Sequence, residues 1–156
     1  MNSFLNNVIK GIENTNILAD GGNSSEFTGT IDTGSYIMNA VLSGSLYGGV
    51  PNNKITAFAG ESATGKTFFV LGVIKQFLDD NETGGVIYFD TEAAVTKDMM
   101  ASRGIDVTRV SIAEPESIED FRTSAVKMLT NYMEHSDAPP MMMVLDSLGQ
   151  LSSAKE

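Results

Sequence analysis

The sequence predicts an α/β fold, a mostly parallel sheet flanked by helices, and three observations carry that expectation. Short runs apolar on both faces alternate with longer segments of helical apolar spacing, turn formers separate the two, and a glycine-rich loop joins the first such run to the helix behind it. The chain has 156 residues, 42% hydrophobic and 19% charged, which suits one domain with a core of its own.

Phe4, Leu5, Val8, Ile9 and Ile12 have helical spacing and predict a short amphipathic helix. The run ADGGNSS at 19–25 is rich in turn formers, so residues 1–26 read as an N-terminal arm and linker before a main unit at 27–156. Residues 55–59 form the first apolar run and predict a strand. Residues 67–78 follow as a helix with Phe68, Val70, Leu71, Ile74, Phe77 and Leu78 apolar. Gly84 and Gly85 break the chain before a buried strand at 86–89 that ends in Asp90, and a helix at 97–103 is stopped by Gly104. A third strand is expected at 109–112. Ser117, with Asp120 three residues on, opens a helix that runs to about Met133, and Pro139-Pro140 leads into the strand MMMVLD, residues 141–146. Of the nine methionines, three fall in that strand and most others at helix-core spacings, as adaptable fillers of apolar gaps do.

Composition excludes several classes of chemistry. There is no cysteine, hence no disulfide, thiolate metal site or thiol nucleophile. The net charge of −10 opposes phosphate backbones, and the ten Lys and Arg residues form no block. No apolar run reaches the roughly 18 residues that span a bilayer, and the first residues lack a basic start followed by an apolar stretch. These features predict a cytoplasmic protein without a membrane partner.

The strongest local signal is Gly60-Glu61-Ser62-Ala63-Thr64-Gly65-Lys66-Thr67, which fits the phosphate-loop (Walker A) pattern G-x-x-x-x-G-K-[ST] between the predicted strand and helix. The glycines let backbone N–H groups wrap a phosphate, and the helix N-terminus adds a favourable dipole. Lys66 supplies a point charge for β- and γ-phosphate oxygens, and the Thr67 hydroxyl is a hard oxygen ligand for Mg²⁺. The predicted ligands are therefore ATP and Mg²⁺.

Such a loop works with carboxylates at the carboxyl ends of neighbouring strands. Asp146 ends the strand MMMVLD and has the Walker B form, expected to serve the metal by holding a water of the Mg²⁺ shell, with Ser147 steadying it. Glu92 lies two residues beyond Asp90 and is the candidate general base for an attacking water, with Asp90 its competitor. His135, the only histidine, and the cluster Asp79-Asp80-Asn81-Glu82 read as solvated surface.

The segments TGSYIMNAVLSGSLYGGVPNNKITAFAGESATGKT, IYFDTEAAVT, GIDVTRVSIAEPESIEDFR and MVLDSLGQLSS together resemble the RecA recombinases, with wording nearest the phage UvsX-type branch. The resemblance covers residues 33–156. It implies a P-loop NTPase fold of RecA type, a DNA-dependent ATPase that forms homo-oligomeric filaments on single-stranded DNA and promotes homologous pairing and strand exchange in recombination and repair. A phage-encoded member would work in the host cytoplasm. The same resemblance matches Lys66 and Thr67 to the phosphate and Mg²⁺ residues, Glu92 to the catalytic glutamate and Asp146 to the Walker B aspartate. Met99 falls where relatives commonly place a tyrosine against adenine.

Relatives continue past the Walker B strand into further strands, DNA-binding loops and a γ-phosphate sensor, whereas this sequence stops ten residues after Asp146. Residues 27–156 are thus expected to be a partial ATPase core, with the C-terminal part missing. In the family's sheet order a later strand lies between the phosphate-loop strand and the Walker B strand, so open edges are expected. Two other functions compete with the recombinase. One is a nucleotide-binding module or regulator that docks on full-length recombinase without DNA contacts of its own. The other is a small-molecule kinase, for which Arg103, Arg109 and Arg122, the only arginines, provide no lid-like motif.

Overall fold

The computed structural model describes residues 3–8, 10–11 and 29–153. In chain order these form α1 (Ser3–Val8), β1 (Thr30–Ile31), α2 (Tyr36–Ser43), β2 (Val50–Pro51), α3 (Lys66–Asp80), β3 (Gly85–Asp90), α4 (Lys97–Ala101), β4 (Val110–Ala113), α5 (Ile118–Met133) and β5 (Met141–Asp146). The predicted linker at 19–25 lies outside the described residues, as do Ile9 and Ile12 of the predicted arm helix. Within α1, Phe4 and Val8 are exposed.

The main sheet has the order β4-β3-β5 and all its pairs are parallel, as the apolar-on-both-faces strands predict. Side chains alternate across β3. Val86 and Tyr88 pack on one face with Leu71, Ile74, Phe77 and Leu78 of α3, together with Val95, Met100 and Ile105. Phe89 points the other way and meets Phe121 of α5 edge to face, ring centroids 4.9 Å apart. Helices therefore pack against both faces. The register pairs Gly85 with Met141 and Asp90 with Asp146, so two acids end adjacent strands at one level.

Caps form where the residue types call for them. Ser117 Oγ accepts from Asp120 N at 3.2 Å and opens α5, although Asp120 reaches back to Glu116 N at 3.3 Å rather than to the cap residue itself. At the far end of α3, the Arg109 guanidinium donates to the carbonyls of Leu78, Asn81 and Glu82 at 2.9, 2.8 and 3.0 Å. It thereby satisfies carbonyls that a helix end leaves without partners.

One predicted strand does not form. Residues 55–59 are irregular, and Ile55 is fully exposed at 101%. A strand exists through its neighbour's hydrogen bonds, and β5 here pairs only with β3, so no described strand lies beside 55–59. The segment is held through Phe58, whose ring meets Phe69 of α3 edge to face with centroids 4.9 Å apart.

Residues 29–51 carry structure that periodicity alone did not predict. β1 and β2 form a small antiparallel ladder, Thr30 opposite Pro51 and Ile31 opposite Val50. Gly49 stands at φ +147°, where an added Cβ would lie 1.8 Å from the Ile31 carbonyl oxygen. Asn39 of α2 is 1% exposed. Its Oδ1 accepts from Thr33 N and Thr33 Oγ1 at 3.0 and 2.7 Å, and its Nδ2 donates to Asp32 Oδ1 and the Leu46 carbonyl at 2.9 and 3.1 Å. The amide thus ties both flanks of α2 together. The Asn39 hydrogen bond, with a second from Gly34 N, holds the Asp32 carboxyl below its ordinary range.

Candidate nucleotide site

The loop 60–67 leads directly into α3, as the motif requires. Gly65 occupies the left-handed region at φ +88° immediately before the helix, and no side chain caps the helix N-terminus. The Thr64 hydroxyl donates to the Glu61 carbonyl at 2.8 Å. Lys66 Nζ folds back over the loop and donates to the carbonyls of Gly60 and Glu61 at 2.9 and 2.7 Å. The ammonium is thus held over the loop that carries the glycines.

Thr67, the second residue of α3, bridges to the end of β5. Its Oγ1 donates to Asp146 Oδ2 at 2.6 Å across 79 residues of sequence. The same carboxylate oxygen accepts from the Tyr88 hydroxyl at 2.8 Å. Burial, followed by the hydrogen bond and negative charge of Asp146, pushes the Tyr88 phenol far above its ordinary range, so it stays a protonated donor.

The carboxyl ends of β3 and β5 are laced together beyond this point. Thr91 N donates to the Asp146 carbonyl at 2.9 Å, and Ser147 N donates to Thr91 Oγ1 at 2.9 Å. Ser147 Oγ lies 3.4 Å from Glu92 Oε1, a long contact that leaves the glutamate exposed. The serine therefore faces Glu92 and not Asp146, which corrects the role expected of it; the steadying donors on Asp146 are Thr67 and Tyr88.

Asp90 and Glu92 have different surroundings. Asp90 is 3% exposed and its two oxygens accept from Glu92 N at 3.2 Å and Val95 N at 2.8 Å, folding the turn that follows β3. Both acceptors are engaged in backbone structure. The Glu92 carboxylate stands free of such duty at the strand end.

The structure thus brings Lys66, Thr67, Asp146 and Glu92 to the carboxyl end of the sheet, where ligands bind in open α/β folds. Tyr88 and Thr91 belong with them and escaped sequence reasoning. For Tyr88 a signal existed: a tyrosine inside a buried apolar strand must find a partner for its hydroxyl, and it lies two residues, hence one face, from Asp90. Met99 packs partly buried against the core cluster. Its carbonyl accepts from Arg103 at 3.0 Å, and the Arg103 guanidinium sits 4.7 Å over the ring of Phe68, an otherwise exposed residue next to Thr67. Two of the three arginines, Arg103 and Arg109, are thus engaged locally. His135 lines an open depression of about 580 Å³ with Thr83, Tyr132 and Pro139, at the amino ends of β3 and β5 and away from the phosphate loop.

A family model described as the RecA N-terminal domain matches residues 1–156. The chain belongs to the RecA family. Among relatives, it is 29% identical over 120 residues to the "Recombination and repair protein" of Enterobacteria phage T4, covering 77% of this chain and 30% of that protein. It is 29% identical over 122 residues to the RecA protein of Malacoplasma penetrans, covering 78% of this chain and 33% of the relative. With the RecA protein of Campylobacter hominis it shares 26% identity over 157 positions, 100% of this chain and 42% of that protein. The chain therefore spans roughly a third of the length of the first two relatives. Membership agrees with the three-stranded parallel sheet and its flanking helices. Among the described residues no helix is long and apolar enough to cross a membrane.

Proposed function

We propose that this chain is the ATP-binding and ATP-hydrolysing portion of a DNA recombinase. The observation that carries the reading is the 2.6 Å bond from Thr67 to Asp146, which joins the end of the phosphate loop to the end of a parallel strand. The donor set fits Mg²⁺: a hydroxyl and a carboxylate are hard oxygen ligands, and the cation takes most of its remaining shell from water and phosphate. When bound, the cation would neutralise charge on the phosphate oxygens.

Each residue of the site then has a role. The loop 60–67 offers its backbone N–H groups to the phosphates, and Lys66 exchanges its contacts with the Gly60 and Glu61 carbonyls for phosphate oxygens. Thr67 and Asp146 would hold the metal. Glu92 accepts a proton from the attacking water and aligns it, since its carboxylate is not consumed by the fold as that of Asp90 is. The adenine ring of the nucleotide packs near Met99, the position that relatives commonly fill with a tyrosine.

The family and the T4 relative's printed role support recombination and repair as the setting. In the intact protein the activity is DNA-dependent hydrolysis within a homo-oligomeric filament on single-stranded DNA, leading to strand exchange, with the DNA contacts on segments beyond residue 156. The relatives' greater length supports this division.

Binding of labelled ATP tests the reading. Lys66→Ala is expected to weaken binding about a hundredfold or more, two charge-assisted contacts of roughly 1.5–3 kcal/mol each being lost. Glu92→Gln is expected to keep ATP affinity while abolishing hydrolysis. Parent-like affinity in Lys66→Ala would overturn the assignment of the loop.

A further inference from the structure

Tyr88 presents a second arrangement inside this site. It is fully buried, in the middle of β3, and packs with α3 core residues Leu71 and Ile74. Its hydroxyl nevertheless reaches Asp146 Oδ2 at 2.8 Å, the same oxygen that accepts from Thr67 at 2.6 Å. The two donors come from different elements, one from β3 and one from α3. Among the described residues no donor reaches Asp146 Oδ1.

This geometry has a chemical consequence. An aspartate carboxylate turns easily about its last torsion, because the sp³–sp² rotation is broad and two-fold. Two donors fixed on rigid elements and aimed at one oxygen remove that freedom and leave the other oxygen free to accept. A hydroxyl has one proton and two lone pairs. Thr67 uses its proton on Asp146, so its lone pairs remain for a cation. With Tyr88 sharing Oδ2, the carboxylate cannot turn away from Thr67 without stranding a buried phenol, at the full desolvation cost of that group.

We propose that Tyr88 is a positioning residue for the divalent cation that accompanies the nucleotide: it clamps Asp146 through Oδ2 so that Thr67 Oγ1 and Asp146 Oδ1 are presented together. This rests on the nucleotide-binding reading above. A Tyr88 hydroxyl that served only to satisfy its own burial would affect stability and leave the metal requirement alone, and the two roles separate by measurement.

The test is calorimetric titration of the 156-residue chain with ATP, without metal and across a Mg²⁺ series, for the parent, Tyr88→Phe and the core control Ile74→Val. Tyr88→Phe should hold metal-free ATP within about twofold of the parent and raise half-saturating Mg²⁺ about tenfold, the scale of one hydrogen bond to a charged group. Ile74→Val should lower the melting temperature without moving the Mg²⁺ requirement. In an Asp146→Asn background, adding Tyr88→Phe should shift the Mg²⁺ requirement no further, because the tyrosine acts through that carboxylate. An unchanged Mg²⁺ requirement in Tyr88→Phe, or equal weakening with and without metal, overturns the proposal while leaving nucleotide binding intact. A parent chain that binds no ATP under either condition overturns the nucleotide reading and this inference with it.

Discussion

Replacing Asp90 by asparagine tests the proposed split at the end of β3 between Asp90, held in backbone structure, and Glu92, the proposed base. The Asp90 carboxylate is 3% exposed and accepts two backbone N–H groups, from Glu92 at 3.2 Å and from Val95 at 2.8 Å, one on each oxygen. Asparagine is nearly the same size but has one acceptor oxygen; its NH₂ group would face one of those N–H donors. One charge-assisted bond is then lost with a buried donor stranded, and the other becomes neutral. At roughly 1.5–3 kcal/mol for a bond to a charged group, the change costs about 3 kcal/mol. For a chain of this size that corresponds to a fall of about 6–12 °C in Tm. Glu92→Gln removes a charge from an exposed side chain whose one hydroxyl contact is 3.4 Å long, and is expected to shift Tm by less than about 2 °C. Thermal unfolding followed by circular dichroism, on the parent and both variants in one buffer, measures the contrast. Equal Tm values for Asp90→Asn and the parent, or a drop in Glu92→Gln as large as in Asp90→Asn, would refute the division of labour between the two acids.

Two further outcomes follow from contacts outside the site. Arg109→Ala removes the guanidinium that caps α3 through the carbonyls of Leu78, Asn81 and Glu82; those carbonyls regain water in part, so the expected loss is about 2 kcal/mol, or about 4–8 °C in Tm, with ATP affinity unchanged. Asp32 is held below the ordinary carboxylate range by Asn39 and Gly34, so its contribution is present above the unfolded-state pKa and lost as pH falls through the lowered folded value. Asp32→Asn should therefore flatten the acid limb of the stability curve, and denaturant midpoints at neutral and acid pH that fall in parallel with the parent would contradict it.

The sequence by itself determined what depends on near neighbours along the chain. The loop 60–67 is legible as a motif because its pattern is local: the left-handed turn at Gly65, the lysine and the hydroxyl fall within eight residues. The same holds for the Ser117 cap of α5, and for β3 and β5, whose apolar runs call for a buried parallel sheet. Only the tertiary structure decided the rest. Residues 55–59 have strand composition, yet pairing is supplied by another segment, and none of the described strands lies beside them. The two donors that meet on Asp146 come from positions 67 and 88, and the proposal of Glu92 over Asp90 as base turns on which backbone N–H groups the fold has already committed to Asp90. Composition specifies which donors and acceptors exist; the order in which strands lie side by side specifies which of them meet.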